Sequence, residues 1–232
     1  MDVIPKHEPM TIPTYEPYAA NTLPFFLEKK AYQGATGRIY PVPYTDRLSN
    51  KPVDKEYDSY TLENEHVKVV LLPELGGKIH GAVDKHNNYE FIYQNTVIKP
   101  AMVGIAGPWV SGGVEFNWPC HHRPSTFMPV DVSIEEESSG AVTVWMSENE
   151  PLDRMKGMVG IRLAPGEARF DTQMKVYNGT PSRHSFLWWE NAAVPVNPQY
   201  RLIFPPDVHY VQFHYRKNVT TYPVASGVYN GI

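Results

Sequence analysis

The sequence predicts an all-β protein, and two observations support this fold class. The 232 residues include 22 prolines and 15 tyrosines, and proline interrupts helices whereas aromatic residues favour strands. From Asp58 onward, short β-branched and aromatic runs are separated by turn residues at the spacing typical of a β-sandwich. Because no stretch repeats its apolar residues with a helical period, we expect few helices.

Residues 1–57 are predicted to form an extended N-terminal arm on the main body. Prolines exclude a continuous helix or a central strand there, at Pro5, Pro9, Pro13, Pro17 and Pro24. A short edge strand is expected within Ala35–Tyr44, before its own prolines end it. Residues 58–232 are predicted to form the second unit, a β-sandwich domain.

The strands of this domain are predicted from alternating side chains and from turn residues. Phe170–Tyr177 alternates apolar and polar residues, which is the pattern of a half-buried strand. Glycine and asparagine breaks at 75–77 and 86–88 separate the first strands. The predicted strands are Ser59–Glu63, Val67–Leu72, Lys78–Asp84, Tyr89–Tyr93, Val130–Glu137, Ala141–Glu148, Met158–Leu163, Arg169–Tyr177, Ser185–Val194, Tyr200–Phe204 and Val208–His214.

Composition and charge exclude several classes of function. The formal net charge is −4 and there is no basic run, so the chain offers no electrostatic site for nucleic acid. No apolar run is long enough to span a bilayer and Met1–Lys6 does not resemble a secretion signal, so we expect a cytoplasmic protein without a membrane partner. The single cysteine, Cys120, excludes an internal disulfide. The adjacent His121 and His122 diverge and do not share one metal ion with Cys120, so no metal or other cofactor is predicted.

The segment Gly112–Pro124 has the highest density of side chains able to bind a polar ligand. Its polar and aromatic residues are Glu115, Asn117, Trp118, His121, His122 and Arg123. If residues 114–118 form a strand, Glu115 and Asn117 share one face, because successive side chains of a strand point to opposite sides. A carboxylate beside an amide can bind vicinal hydroxyls, so this face is a candidate sugar site.

Three spaced motifs resemble one protein family. Val70–Ile79, with its Pro-x-x-Gly-Gly turn, and Tyr89–Asn95 resemble the opening of galactose-mutarotase-like proteins. Gly113–Pro119 and Phe186–Val194 resemble more specifically a bacterial branch in which this domain precedes tetratricopeptide repeats. The resemblance extends from about Tyr57 to the end of the chain.

This resemblance implies a β-supersandwich whose concave face holds a sugar. The superfamily includes aldose epimerases, carbohydrate-binding domains and glycoside hydrolases, and the fold alone does not choose among them. Its epimerases use a His near the position of Leu187–Glu190 and a Glu from a late strand, but this motif contains no His and the chain ends before such a strand. We therefore expect a supersandwich truncated at its C-terminus, with weak or no mutarotase activity. A shortened sheet would expose an edge strand, which favours a homo-oligomer.

The predicted site combines carboxylates, imidazoles and aromatic rings. The predicted catalytic residues are Glu115, His121, His122 and Glu190, and the predicted ligand-binding residues are Lys78, His80, Asn117, Arg123, Trp188 and Asn191. A glycosidase needs two carboxyl groups roughly 5 to 10 Å apart, and Glu115 with Glu190 is the best pair in the chain. Trp188 and Trp189 point opposite ways on a strand, so one faces the core and the other is free to stack on a sugar ring, with Glu190 on the side of Trp188. Trp109 is expected in the core.

Two classes of function follow as alternatives. The first is a carbohydrate-active enzyme, either an aldose epimerase or a glycoside hydrolase, that binds a hexose-containing ligand through carboxylates and an imidazole acid. The second is a non-catalytic carbohydrate-binding module, or an interaction domain that binds no sugar. In both sugar-binding alternatives the partner is a small sugar or an oligosaccharide.

Overall fold

A computed structural model describes residues 2–22, 25–26, 39–40, 45, 47–102, 108–119, 126–151, 153–213 and 218–224. These residues contain β-strands and one turn of 3-10 helix, Pro73–Leu75, and within them no α-helix is present. The predicted all-β class is therefore confirmed. None of the helical structure in this part of the chain is long and apolar enough to cross a membrane.

The strands are numbered in chain order. They are β1 Ile4–Thr14, β2 Phe25–Phe26, β3 Ile39–Tyr40, β4 Val53–Glu63, β5 Val67–Leu72, β6 Lys78–Asp84, β7 Tyr89–Ile92, β8 Ala101–Met102, β9 Pro108–Trp109, β10 Val114–Asn117, β11 Asp131–Glu136, β12 Val142–Asn149, β13 Met155–Leu163, β14 Phe170–Asn178, β15 Trp189–Ala192, β16 Tyr210–Phe213 and β17 Asn218–Thr221. Most of the predicted strands are present, with ends shifted by a few residues.

Two antiparallel sheets make up most of the chain up to Pro195. The large sheet has seven strands in the order β1-β4-β5-β6-β10-β15, with β7 also paired to β6. The small sheet is the meander β11-β12-β13-β14. Three further pairs, β2 with β3, β8 with β9 and β16 with β17, are two-stranded.

The main hydrophobic core contains side chains from both sheets. Its fully buried residues include Leu62, Leu71, Ile79 and Phe116 of the large sheet and Val144, Ile161 and Leu163 of the small sheet. Alternation within each strand explains this arrangement, because every second side chain points to the same face. The two sheets therefore form a sandwich with one face of the large sheet against the core.

The other face of the large sheet has its own, smaller apolar cluster. Its buried residues are Ile12, Tyr57, Leu72, Leu75, Ile98 and Val110. Leu72 pairs with Lys78 and therefore points away from Leu71 and Ile79, which face the main core. Both faces of the large sheet are thus covered in this region. Many antiparallel sheets, by contrast, have one face exposed to solvent.

Strand β1, within the predicted N-terminal arm, belongs to the large sheet. β1 pairs with β4 along its whole length, from Ile4 opposite Glu63 to Thr14 opposite Val53. β1 is an edge strand, which is where a strand containing prolines is tolerated. The boundary expected at residue 57 falls inside β4. By its contacts the chain divides into two compact units, Met1–Pro195 and Val196–Ile232.

The second unit contains the hairpin of β16 and β17. The strand predicted at Tyr200–Phe204 was wrong, because these residues have no regular structure. Leu202 and Ile203 are 71% and 90% exposed, and Pro205 and Pro206 follow directly. The β-branched and aromatic composition predicted a strand, but strand formation also requires a pairing partner.

Candidate functional site

The candidate site is built around β10, the strand predicted to carry Glu115 and Asn117. Val114 pairs with Ile79 of β6 on one side and with Ala192 of β15 on the other. Because Val114 and Phe116 belong to the main core, Glu115 and Asn117 point to the opposite face of the large sheet. This is the orientation that the sequence predicted for the two side chains.

Glycine allows β10 to lie this close to β6. Gly112 and Gly113, which precede the strand, have φ angles of +82° and +68°. A β-carbon on Gly113 would lie 1.9 Å from the carbonyl oxygen of Ile79, so a side chain at this position is excluded. The glycine pair therefore positions Glu115 beside the first residues of β6.

Side chains of the neighbouring strands complete a polar cluster on this face. We define the polar cluster as Lys78, His80, Glu115, Asn117 and Asn191. Lys78 pairs with Leu72 of the second apolar cluster and so points away from the main core. His80 is the extra residue of a β-bulge in β6 and is close enough to Lys78 for that charge to affect its pKa. Asn191 lies opposite Glu115 in the register of β10 and β15. Lys78, His80, Glu115 and Asn117 are 4%, 2%, 6% and 0% exposed. Polar and ionisable side chains are rarely buried to this extent unless they are paired or hydrogen-bonded.

Glu115 accepts two side-chain hydrogen bonds at one carboxylate oxygen. The indole Nε1 of Trp109 donates to Oε2 at 2.8 Å, and the amide Nδ2 of Asn191 donates to the same oxygen at 3.2 Å. Trp109 was expected to be a core residue, but it is a half-buried partner of the carboxylate. An indole N–H that leaves the solvent needs an acceptor, and the Glu115 carboxylate supplies it here.

Lys78 and His80 have strongly shifted acid–base properties. The Lys78 ammonium donates to the carbonyl oxygens of Val110 at 3.0 Å and Ser111 at 3.3 Å. Burial lowers the pKa of Lys78 to about 8, against the opposing attraction of Glu115. Burial, and then the charge of Lys78, lower the pKa of His80 to about 4. His80 is therefore neutral at physiological pH, while Lys78 remains mostly charged.

Asn117 differs from the other buried asparagine of the first unit, Asn64. Both are 0% exposed. The Asn64 amide donates to the carbonyls of Ala164 and Glu167 at 2.8 and 2.9 Å and accepts the backbone N–H groups of His66 and Val67 at 2.8 and 2.9 Å. Within the described residues, neither the Oδ1 nor the Nδ2 of Asn117 has a hydrogen-bond partner. Such a group costs stability, so it needs an explanation.

A small cavity borders the polar cluster. It measures about 10 Å³ and is lined by Leu75, Gly76, Lys78, Val110, Glu115, Phe116 and Thr126. This volume matches one water molecule, which the three polar side chains of the lining, Lys78, Glu115 and Thr126, are able to hold. A larger ligand requires the residues that cover the cluster to move.

The other predicted site residues have different positions. Glu190 lies opposite Phe116 in the register of β10 and β15, and the rings of Trp188 and Phe116 stack with centroids 6.2 Å apart. Glu190 and Trp188 thus share the core side of the sheet, and Glu115 points to the other side. Trp189 lies opposite Asn117 and shares the face of the polar cluster. The predictions for His121, His122 and Arg123 lie outside the described residues.

Metal binding has no donor set in the part of the chain that the structure describes. No group of three His, Cys, Asp or Glu side chains lies close enough there to hold an ion. The sequence-based expectation of a protein without metal or other cofactor stays a prediction.

Comparison with known proteins gives a family and a structural relative. Residues 35–230 match the family described as a domain of unknown function, DUF5107. The fold is similar to the crystal structure of a TPR-domain-containing protein from Parabacteroides distasonis, with a TM-score of 0.76 and 27% sequence identity. The similarity covers 85% of this chain and 33% of that protein, so the present chain spans about one third of the length of its relative.

Proposed function

This chain belongs to the family of domains of unknown function DUF5107, and we propose that it binds a hexose-containing ligand at the polar cluster. The proposal includes a fold of the galactose-mutarotase-like supersandwich type. A large antiparallel sheet packed on a smaller one, with polar side chains on its outer face, supports that assignment at the level of architecture. Because a fold hosts many activities, the chemistry of the site carries the argument for function.

The observation that carries the proposal is the bare amide of Asn117. A buried amide without partners costs about 1–3 kcal/mol, which structural asparagines such as Asn64 avoid by using all their hydrogen-bonding capacity. An amide offers a donor and an acceptor side by side, and a sugar hydroxyl or ring oxygen complements both. We infer that a ligand satisfies Asn117 and that the apo protein tolerates the cost for this reason.

The ligand reaches the polar cluster by replacing the residues that cover it. Three hydrogen bonds hold Trp109–Ser111 over the cluster, one from the Trp109 indole to Glu115 and two from Lys78 to backbone carbonyls. A hydroxyl-rich ligand supplies donors for Glu115 and acceptors for Lys78, so the exchange conserves the number of hydrogen bonds. Outward movement of Trp109–Ser111 carries Val110, a lining residue, away from the cavity and enlarges it beyond its present room for a single water.

The described geometry favours binding over glycoside hydrolysis. A glycosidase needs its two carboxyl groups on the same cleft, on either side of the scissile bond. Glu115 and Glu190 point to opposite faces of the large sheet, so they do not form such a pair. We therefore place the non-catalytic carbohydrate-binding module ahead of the hydrolase among the alternatives. An epimerase needs one acid and one base at the ring, and Glu115 is the base that this cluster offers.

Calorimetry and tryptophan fluorescence test the proposal together. The full chain is titrated with galactose, glucose, lactose and cellobiose, and the same titrations are repeated with Asn117→Leu and with Trp109→Phe. We expect binding of at least one sugar, loss of that binding in Asn117→Leu, and loss of the fluorescence change in Trp109→Phe. Asn149→Leu, on the exposed end of β12, is the matched control and retains binding. Sugar binding that is unaffected by Asn117→Leu would refute this site.

A further inference from the structure

A second cleft lies on the same face of the large sheet, beside β1 and β4. It has a volume of about 220 Å³ and a mainly apolar lining. Its floor is formed by the buried residues Tyr57, Leu75, Ile98 and Val110, and the half-buried Phe127 and Met128 form a wall. An apolar concave floor with a few polar groups at the rim is the usual form of a small-molecule site.

This cleft is distinct from the polar cluster. None of the five polar-cluster residues lines it, and it shares only Leu75 and Val110 with the water-sized cavity. Its volume exceeds the 150 Å³ or so at which an apolar protein cavity accepts a benzene ring. The floor therefore has room for a six-membered ring or a branched aliphatic group.

The charges around the cleft favour a cation. Glu74 lines the rim, and its Oε1 accepts the backbone N–H of Asp58 at 2.8 Å. Glu16 lies 4.0 Å from Lys55, and both of their side chains are partly exposed. The two carboxylates are close enough to Tyr57 that both act to raise the pKa of its phenol, after the larger effect of burial. Glu16 offsets the charge of Lys55, so Glu74 is the carboxylate of the lining that remains for a positive group of a ligand.

The ring of Tyr57 is already paired with a positive group of the protein. The Lys55 ammonium lies 4.9 Å from the centre of this ring, and the face of an aromatic ring attracts cations. The Tyr57 hydroxyl is paired with the Thr14 hydroxyl at 3.0 Å, so its ring is held in place. Lys55 therefore occupies this face of the ring, and the place left for a ligand cation is beside Glu74.

We propose that this cleft binds a small organic cation whose apolar body fills the floor and whose ammonium group lies beside Glu74. The apolar floor supplies most of the affinity through burial of hydrocarbon surface. The carboxylate of Glu74 sets the preference for charge, and its described hydrogen bond, from the Asp58 N–H, uses only Oε1. The proposal does not rest on sugar binding at the polar cluster, although Val110 lines both cavities.

Two probes of nearly equal size and opposite charge test the proposal. Phenethylammonium and phenylacetate are each titrated into the full chain, and binding is followed by saturation-transfer NMR. We expect phenethylammonium to bind and phenylacetate to bind at least about threefold more weakly, the discrimination that a partly exposed ion pair supplies. Equal binding of the two probes, or no binding of either, would overturn the proposal.

Variants then locate the bound probe. Glu74→Gln keeps the acceptor for the Asp58 N–H and removes only the charge, so phenethylammonium binding falls about threefold, again as expected for a partly exposed pair. Phe127→Ala removes the aromatic ring from the wall of the cleft and is expected to weaken the binding of both probes. Glu136→Gln, on the exposed end of β11, removes the same charge elsewhere and leaves binding unchanged. An equal effect of Glu74→Gln and Glu136→Gln would show a general electrostatic attraction instead of this site.

Discussion

The indole ring of Trp118 lies directly against the α-carbon of Gly157. Trp118 follows β10 of the large sheet and is 1% exposed, and Gly157 belongs to β13 of the small sheet. A β-carbon at residue 157 would lie 2.1 Å from two carbon atoms of the ring. This contact joins the two sheets next to the strand that carries the candidate site.

Gly157→Ala is therefore expected to destabilise the protein. The added methyl group forces the indole or β13 to move, and overpacking of a core typically costs about 1–3 kcal/mol. Urea unfolding followed by tryptophan fluorescence measures the change in the free energy of unfolding. Gly179→Ala is the matched control, because its β-carbon would lie 3.3 Å from the exposed ring of Tyr177. Equal losses in the two variants would contradict the close contact.

Asn117→Leu is expected to stabilise the protein. Leucine has the same number of side-chain heavy atoms and removes two buried polar atoms without partners, which is worth about 1–2 kcal/mol. Asn64→Leu removes four hydrogen bonds at an equally buried position and is expected to destabilise by several times that amount. Thermal melts and urea unfolding of both variants give the comparison. Destabilisation of both by similar amounts would show that Asn117 has a structural role.

The contributions of Lys78 and Glu115 to the free energy of unfolding are expected to be coupled. Lys78→Met removes a positive charge that interacts with the buried carboxylate of Glu115, and Glu115→Gln removes the negative charge that raises the pKa of the Lys78 ammonium. Each single change is expected to cost about 2–4 kcal/mol, and the double variant less than the sum, because neither charge is then left alone. A double-mutant cycle by urea unfolding measures this coupling. Strict additivity would mean that the two charges do not interact.

Protonation of His80 is expected to weaken the fold in mild acid. Its pKa is about 4 in the folded chain, against an ordinary value of 6.5. Between these two values the unfolded chain binds a proton that the folded chain does not, so the free energy of unfolding falls as the pH falls through this window, by about 3 kcal/mol in total. His80→Gln should reduce the slope of stability against pH between 6.5 and 4. An unchanged slope would show that His80 does not titrate in this way.

Much of the site could be predicted from the strand period alone. Glu115 and Asn117 share a face because they are two residues apart in one strand, and that relation needs no knowledge of neighbouring strands. The relation of Glu115 to Glu190 depends on the register of β10 against β15, and a slip of one residue would move Glu190 to the other face. The sequence alone does not reveal this register. The pairing of Glu115 with Glu190 was therefore a reasonable prediction, but the structure places the two carboxylates on opposite faces of the sheet.

The role of Trp109 could not be predicted for a similar reason. It lies in the two-residue strand β9, which pairs with β8. A strand this short shows no alternation of apolar and polar side chains from which its orientation could be predicted. Its contact with Glu115 depends on how the residues that precede β10 fold back over the sheet. The strand predicted at Tyr200–Phe204 failed because composition reports strand propensity but not the presence of a partner.

The prolines of β1 affect how the protein meets other copies of itself. In an edge strand every second residue directs its N–H group outward, away from the neighbouring strand, and Pro5, Pro9 and Pro13 share that spacing. Proline lacks this donor, so an incoming strand would find gaps where it needs hydrogen bonds. Around Pro13 the outer side is already occupied, since Ile98 exchanges backbone hydrogen bonds with Pro13 and Tyr15. β1 is therefore a poor template for strand addition, and the proline-rich start of the chain protects this side of the sheet from edge-to-edge aggregation.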